Sequence, residues 1–211
     1  DHFRPFGVLE DAAAIEVFTV LRDRVATHLE RGRAAAVAIF NHKRAAGASL
    51  PHPHAQVLAT DFVPPAIVEA VARVRQAGTD LVLEDAGHDE ALTVVAGGPA
   101  LTWCPYASSA PYQIRVAPEH TGAHFEDAGD DELASVAIAL RDALACLSSA
   151  LDDPSYNVVV HSAPPGGGPF HWYVEVIPRL AVIAGFELAT GLFVNTFAPD
   201  QAAKILRAAR R

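Results

Sequence analysis

The chain has 211 residues, 51% of them hydrophobic, and a formal net charge of −9. That apolar share can bury a sizeable core as one large domain or two small ones, while the acidic balance argues against nucleic acid or an acidic membrane as partner, because a binder of such surfaces presents a basic face. No apolar run approaches the roughly 18 to 20 residues of a membrane span and the start lacks a signal-peptide pattern, so a cytoplasmic protein is expected.

In chain order, Asp1-His2-Phe3 opens in a loop, and Asp11 is read as the N-cap of a helix of about twenty residues with Phe18, Leu21, Val25 and Leu29 at helical spacing. Gly32 follows its end. Ala34 to Phe40 (AAAVAIF) reads as a central strand, and Gln56 to Phe62 as its returning partner. Pro64-Pro65 stops that strand and opens a helix carrying Ile67, Val71 and Val74, closed by Gly78. Asp80 to Gly98 reads as a hairpin or meander, and Ala100 to Tyr106 and Gln113 to Pro118 as two further strands. Asp130 is read as the cap of a second long helix, with Leu133, Val136, Leu140, Leu144 and Leu147 on one stripe. Tyr156 to His161 and His171 to Pro178 are strands on either side of a proline- and glycine-rich loop. Cys104 and Cys146, the two cysteines, lie outside any metal-binding spacing and read as buried thiols. The lack of methionine and of an initiator suggests part of a longer polypeptide.

Helix, strand, glycine-bearing loop and strand therefore occur twice. LRD at Leu21 recurs at Leu140, and HPHAQV at His52 has its counterpart HWYVEV at His171, both at an offset of 119 residues. The pattern implies a tandem duplication of an α+β unit, residues 1–98 and 99–211.

Between the first pair of strands, Gly47-Ala48-Ser49 runs into His52-Pro53-His54 and Gln56. If the segment is extended, alternation puts His52, His54 and Gln56 on one face. Small residues would let an anion approach backbone N–H groups, and an imidazole could attack phosphorus or hold a metal. From residue types alone, two loop histidines beside prolines is an equally good reading. In the second copy His54 becomes Tyr173 and Gln56 becomes Glu175, so the chemistry is expected in the first copy only.

GASLPHPHAQ with the upstream Asn41 and the later HWYVEVIPR and GFELATGLFVN resembles the transferase branch of the histidine-triad superfamily, which contains galactose-1-phosphate uridylyltransferases and ADP-glucose phosphorylases. The resemblance covers most of the chain. It implies two tandem histidine-triad units in one antiparallel sheet flanked by helices, commonly as a homodimer. It implies His54 as nucleophile toward the α-phosphorus of a nucleotide sugar, UDP-hexose or ADP-glucose, with Gln56 donating to a phosphoryl oxygen and hexose 1-phosphate or phosphate as acceptor. Glutamine in place of a third histidine disfavours hydrolysis, because a neutral amide does not shuttle a proton to water. Asn41, Gly47 and Ser49 match positions around the phosphates and nucleoside. Phe186 and Glu187 fall in the matching C-terminal segment, where a strand packing residue and a structural hydrogen-bonder are equally good readings. A nucleotide-binding protein without catalysis is a further alternative. No organic cofactor is implied. His2 and His52 match two ligands of a structural zinc, but the cysteine pair that completes it is absent from these 211 residues. Some relatives carry a second metal on the C-terminal unit. His161 and His171 match two of its ligands, Tyr173 replaces a third and Glu69 lies only near the carboxylate position, so that metal is not expected.

Overall fold

Alternation of apolar side chains along six strands decides which face of the sheet each helix covers. In the computed structural model, which describes residues 4–120 and 122–210, β1 (Ala35–His42), β2 (Ala55–Thr60), β3 (Leu101–Trp103), β4 (Ile114–Ala117), β5 (Tyr156–His161) and β6 (Tyr173–Pro178) form one antiparallel sheet in the order β2-β1-β5-β6-β4-β3. Ala38, Phe40, Val57, Val158, Val174, Val176, Ile114 and Val116 project to one side, where α1 (Asp11–Glu30), α4 (Asp130–Leu151) and α6 (Pro199–Ala208) bury them. The other side carries the alternate residues, and over its second half lie α2 (Pro65–Ala77), against Ala163 and Phe170, and α3 (Leu81–Ala86), against Trp103 and Ala117.

α4 forms the spine of the core. Leu133, Leu140, Leu144 and Leu147 are fully buried, and truncating any one of them to alanine should cost about 2–5 kcal/mol. Contrary to the expectation from the sequence, this helix is long and apolar enough to cross a membrane by length and composition, with a mean hydropathy of 1.5 over its most apolar window. Half of that window is buried, and its apolar stripe is used against the sheet.

Pairing between β1 and β5 joins the two halves. Ile39 faces Val159 across this seam, Ile39 faces Gln56 on its outer side, and Val159 faces Glu175. The row continues through Arg115 to Trp103, so Gln56, Ile39, Val159, Glu175, Arg115 and Trp103 share one face. Ile39 and Val159 thus hold the same place in the two α-β-β units and stand on an approximate two-fold axis between them.

Three local expectations fail. Asp11 and Asp130 are first helical residues rather than caps; the caps are Glu10 and Gly129, extended and without side-chain cap bonds. The aspartates there still face unsatisfied N–H groups at the positive end of the helix. The segment from Asp80 to Gly98 is no hairpin: the Asp80 carboxylate accepts from Val82 N and Leu83 N, both at 3.1 Å, and starts α3, while Asp89 accepts from Ala91 N at 2.8 Å and starts a 3-10 turn over Glu90–Leu92. Only Thr93 bridges to a strand, opposite Trp103.

Candidate active site

The loop from β1 to β2 leaves the sheet through a strained step. Lys43 has φ 66° and ψ 164°, a region nearly restricted to glycine that costs about 1–3 kcal/mol, and Gly47 closes the following 3-10 turn over Arg44–Ala46 at φ 87°. Asp153 holds the strained residue from the other half of the chain. Its carboxylate accepts from His42 Nε2 at 2.8 Å and from Lys43 Nζ at 2.7 Å, and its carbonyl also accepts from Lys43 Nζ. Burial would raise the Asp153 carboxyl, but these Lys43 and His42 contacts bring it below the usual carboxylate range. Next along the seam, Asn157 Nδ2 donates to Asn41 Oδ1 and to the Ala46 carbonyl, both at 2.7 Å. Neither Asp153 nor Asn157 was singled out from the sequence, because each acts on residues more than a hundred positions away.

Within the turn, Gly47 N–H is taken by the Arg44 carbonyl and Ala48 N–H by that of Lys43, so they do not meet an anion as the sequence suggested. Among the described residues, Ser49 N–H has no backbone acceptor, and Ser49 itself is exposed. β2 begins only at Ala55, so the alternation expected through His52, His54 and Gln56 does not run through all three. His52 and His54 stand edge-on before the strand, ring centroids 5.9 Å apart, while Gln56 is exposed on the strand opposite Ile39. His54 Nδ1 donates to the His52 carbonyl at 3.0 Å. That bond fixes the tautomer and leaves the Nε2 lone pair of the neutral ring for an electrophile.

His54 borders two spaces. One is a small cavity of about 30 Å³ shared with Asn41, His42 and Tyr156. The other is a groove of about 650 Å³ between α1 and β2, lined by Phe6, Val17, Val20, Arg24, His28 and Val57 among others. Apolar walls with arginine and histidine at the margin suit a flat ring joined to an anion. Phe186 and Glu187 border neither space. They lie in α5 (Gly185–Thr190), a helix rather than a strand, with Phe186 exposed and Glu187 accepting from Ala184 N at 3.1 Å.

The metal expectations meet this geometry as follows. His2 lies outside the described residues. Cys104 and Cys146 are buried in the helix-covered core, away from His52, and no three ligating side chains cluster among the described residues. The residues described do not fit a closed tetrahedral zinc site. On the second unit, His171 has Nδ1 2.9 Å from Asp80 Oδ2 and Nε2 3.1 Å from the Pro118 carbonyl, and His161 Nε2 donates to Glu175 Oε2 at 3.2 Å.

Glu175, the counterpart of Gln56, is buried and fully engaged. Its Oε1 accepts from Gln113 Nε2 at 2.6 Å and Arg115 Nε at 3.0 Å. Arg115 also donates to Asp85 at 3.1 Å and lies 5.0 Å from the ring centre of Tyr173, which stacks on His161. Burial alone would raise the Glu175 carboxyl, but the His161 and Arg115 contacts outweigh it and bring it down to about 2. The second copy of the site is thus closed by its own side chains.

Tandem α-β-β units sharing one sheet, with an HPHAQ segment in the first, are similar in fold to solved ADP-glucose phosphorylase and uridylyltransferase structures and similar in sequence to two curated relatives. The chain is 27% identical over 179 residues to ADP-glucose phosphorylase of Arabidopsis thaliana, covering 79% of this chain and 50% of that protein. It is 26% identical over 185 residues to galactose-1-phosphate uridylyltransferase of Thermotoga maritima, covering 79% and 58%. It therefore spans about half the length of the curated relatives it matches. Among solved structures, an Arabidopsis thaliana ADP-glucose phosphorylase with bound ADP-glucose superposes with a TM-score of 0.88 at 22% identity, covering 98% of this chain and 70% of that one. A uridylyltransferase does so with a TM-score of 0.86 at 23% identity, covering 97% and 69%. No family model matches the chain.

The lowered Glu175 carboxyl has a consequence for stability. A carboxylate whose folded value lies below its unfolded one stabilises the fold above the unfolded value, about 4.5, and that contribution is lost as pH falls toward about 2. In urea titrations Glu175→Gln should lose roughly 3 kcal/mol at pH 7 and show a flatter stability profile than wild type between those pH values. Parallel profiles would mean that the carboxylate does not carry this term.

Proposed function

We propose that the chain is the core of a nucleotidyltransferase acting on nucleotide sugars through a nucleotidyl-His54 intermediate, in the manner of galactose-1-phosphate uridylyltransferase. One observation carries the reading: the His54 ring is held by its Nδ1 bond to the His52 carbonyl beside a groove of nucleoside size. In the first step Nε2 attacks the α-phosphorus, the P–N bond forms, and the bond to the bridging oxygen breaks with release of hexose 1-phosphate. In the second, a phosphate oxygen of the acceptor attacks the same phosphorus and the P–N bond breaks, restoring the imidazole. Asn41, which borders the small cavity beside His54, supplies an amide donor to the phosphoryl oxygens; Gln56 is assigned the same role on the resemblance, and Gly47 and Ser49 shape the approach. Residues 1–98 carry the chemistry and 99–211 the scaffold, in a cytoplasmic enzyme of hexose phosphate metabolism.

A second reading, an ADP-glucose phosphorylase-like enzyme with inorganic phosphate as acceptor, is favoured by the similarity to the Arabidopsis thaliana protein. Initial rates with UDP-hexoses and ADP-glucose, each with hexose 1-phosphate or phosphate, separate the two. His54→Ala should lower the active combination at least about 10³-fold. Equal rates in wild type and variant would remove His54 as nucleophile, reversible binding without turnover would favour a nucleotide-binding protein, and turnover without acceptor would favour a hydrolase.

The enzyme is a homodimer in this reading. Support comes from the segment around α5, where Val182 is 91% and Leu188 77% exposed, with Phe186, Leu192 and Phe193 also exposed. An apolar arm of this kind is unfavourable in water unless a second copy covers it. Sedimentation equilibrium should give a dimer for wild type and a monomer of unchanged helical content for Val182→Asp/Leu188→Asp. A wild-type monomer at tens of micromolar, or a dimeric variant, would contradict it.

A further inference from the structure

We propose that Asn157, on β5 of the second unit, is a positioning residue for the phosphate-facing groups of the first. The inference rests on the nucleotidyl-transfer reading. Asn157 sits opposite Asn41 in the β1–β5 register, and its amide nitrogen makes two bonds of 2.7 Å, one to Asn41 Oδ1 and one to the carbonyl of Ala46.

Each bond sets something that the first unit does not set for itself. The bond to Asn41 uses that residue's carbonyl oxygen, so the Asn41 amide presents Nδ2 and its two hydrogens to a ligand rather than an acceptor that would repel a phosphoryl oxygen. The bond to Ala46 pins the last residue of the 3-10 turn, just before Gly47 takes its left-handed conformation and directs the chain toward Ser49. The same unit also holds the start of this turn, since Asp153 grips His42 and the strained Lys43. The first turn of the loop, from His42 to Ala46, is thus held by residues of the unit that has lost the nucleophile.

The direction of the hydrogen bonds makes the proposal testable. Asn157→Asp is nearly isosteric, but a carboxylate cannot donate to Ala46 and accepts from Asn41 instead, turning the Asn41 amide over and withdrawing its donors from the ligand. Asn157→Ala loses both bonds and leaves the Asn41 amide able to adopt either orientation. The rate of nucleotide transfer to His54 should therefore fall most in Asn157→Asp, about 100-fold, and less in Asn157→Ala, with the KM for nucleotide sugar within about threefold of wild type. A residue that only fills space gives the reverse order, because alanine leaves a void and aspartate does not. Hydrogen exchange at the Gly47 and Ala48 amides supplies a second measure, expected to accelerate about tenfold in Asn157→Asp while the β5 and β6 amides stay as in wild type. Wild-type rates with unchanged exchange, or a greater defect in alanine than in aspartate, would overturn the proposal. If wild type transfers nucleotide to no acceptor, the enzymatic reading fails by itself and the exchange measurement alone decides whether Asn157 holds the loop.

Discussion

Ile39 facing Val159 is the contact on which the rest depends, because it fixes the register in which two similar units become one sheet. From that register follow the shared outer face from Gln56 to Trp103 and the meeting of Asn157 with Asn41. Sliding β5 by one residue would turn Asn157 and His161 into the helix-covered core and bring Val158 and Val160 out. The hydrophobic core on the other side of the sheet, where Val158 and Val160 pack under α4, makes such a slip costly. Packing on the buried face therefore sets geometry on the open one.

The two units show how one position acquires opposite properties from its surroundings. Gln56 and Glu175 occupy equivalent places, yet the first is exposed on an edge strand and the second lies under α2 and α3 among Arg115, His161 and Gln113. Tyr173, where the first unit has His54, is packed against Phe170 and Trp103, and burial pushes its hydroxyl up to about 12, so at neutral pH it offers no anionic nucleophile. Histidine in the same chain position needs no such ionisation. The difference between an open unit and a closed one thus comes from a few residue differences and from the helices that cover one half of the face.

Much of this was legible in the sequence, and the parts that were not have a common cause. The apolar run before Asn41, the helical stripe through Phe18 and Leu21, and the left-handed glycine after Ala77 are local signals, and the elements appear where those signals lie. Likewise the repeat of His52 at His171 is visible as text, and it correctly places β2 and β6 as counterparts. Illegible were features decided by a single polar side chain against distant or competing groups. Asp80 turns an expected strand into α3 by capping it, and the Asn157 and Asp153 contacts span more than a hundred residues. His54, too, could be placed in a loop but not beside the α1 groove, because its neighbours there come from a helix about thirty residues earlier in the chain.

The central claim is that one ring nitrogen, Nε2 of His54, takes the nucleotide. Mixing the protein with nucleotide sugar in the absence of acceptor, denaturing it in alkali, where phosphoramidates survive, and mapping the adduct by peptide mass and phosphorus NMR tests it directly. A nucleoside monophosphate joined to His54 through Nε2, and released when acceptor phosphate is added before denaturation, is the expected result; turnover with no adduct, or an adduct on another residue, would contradict it.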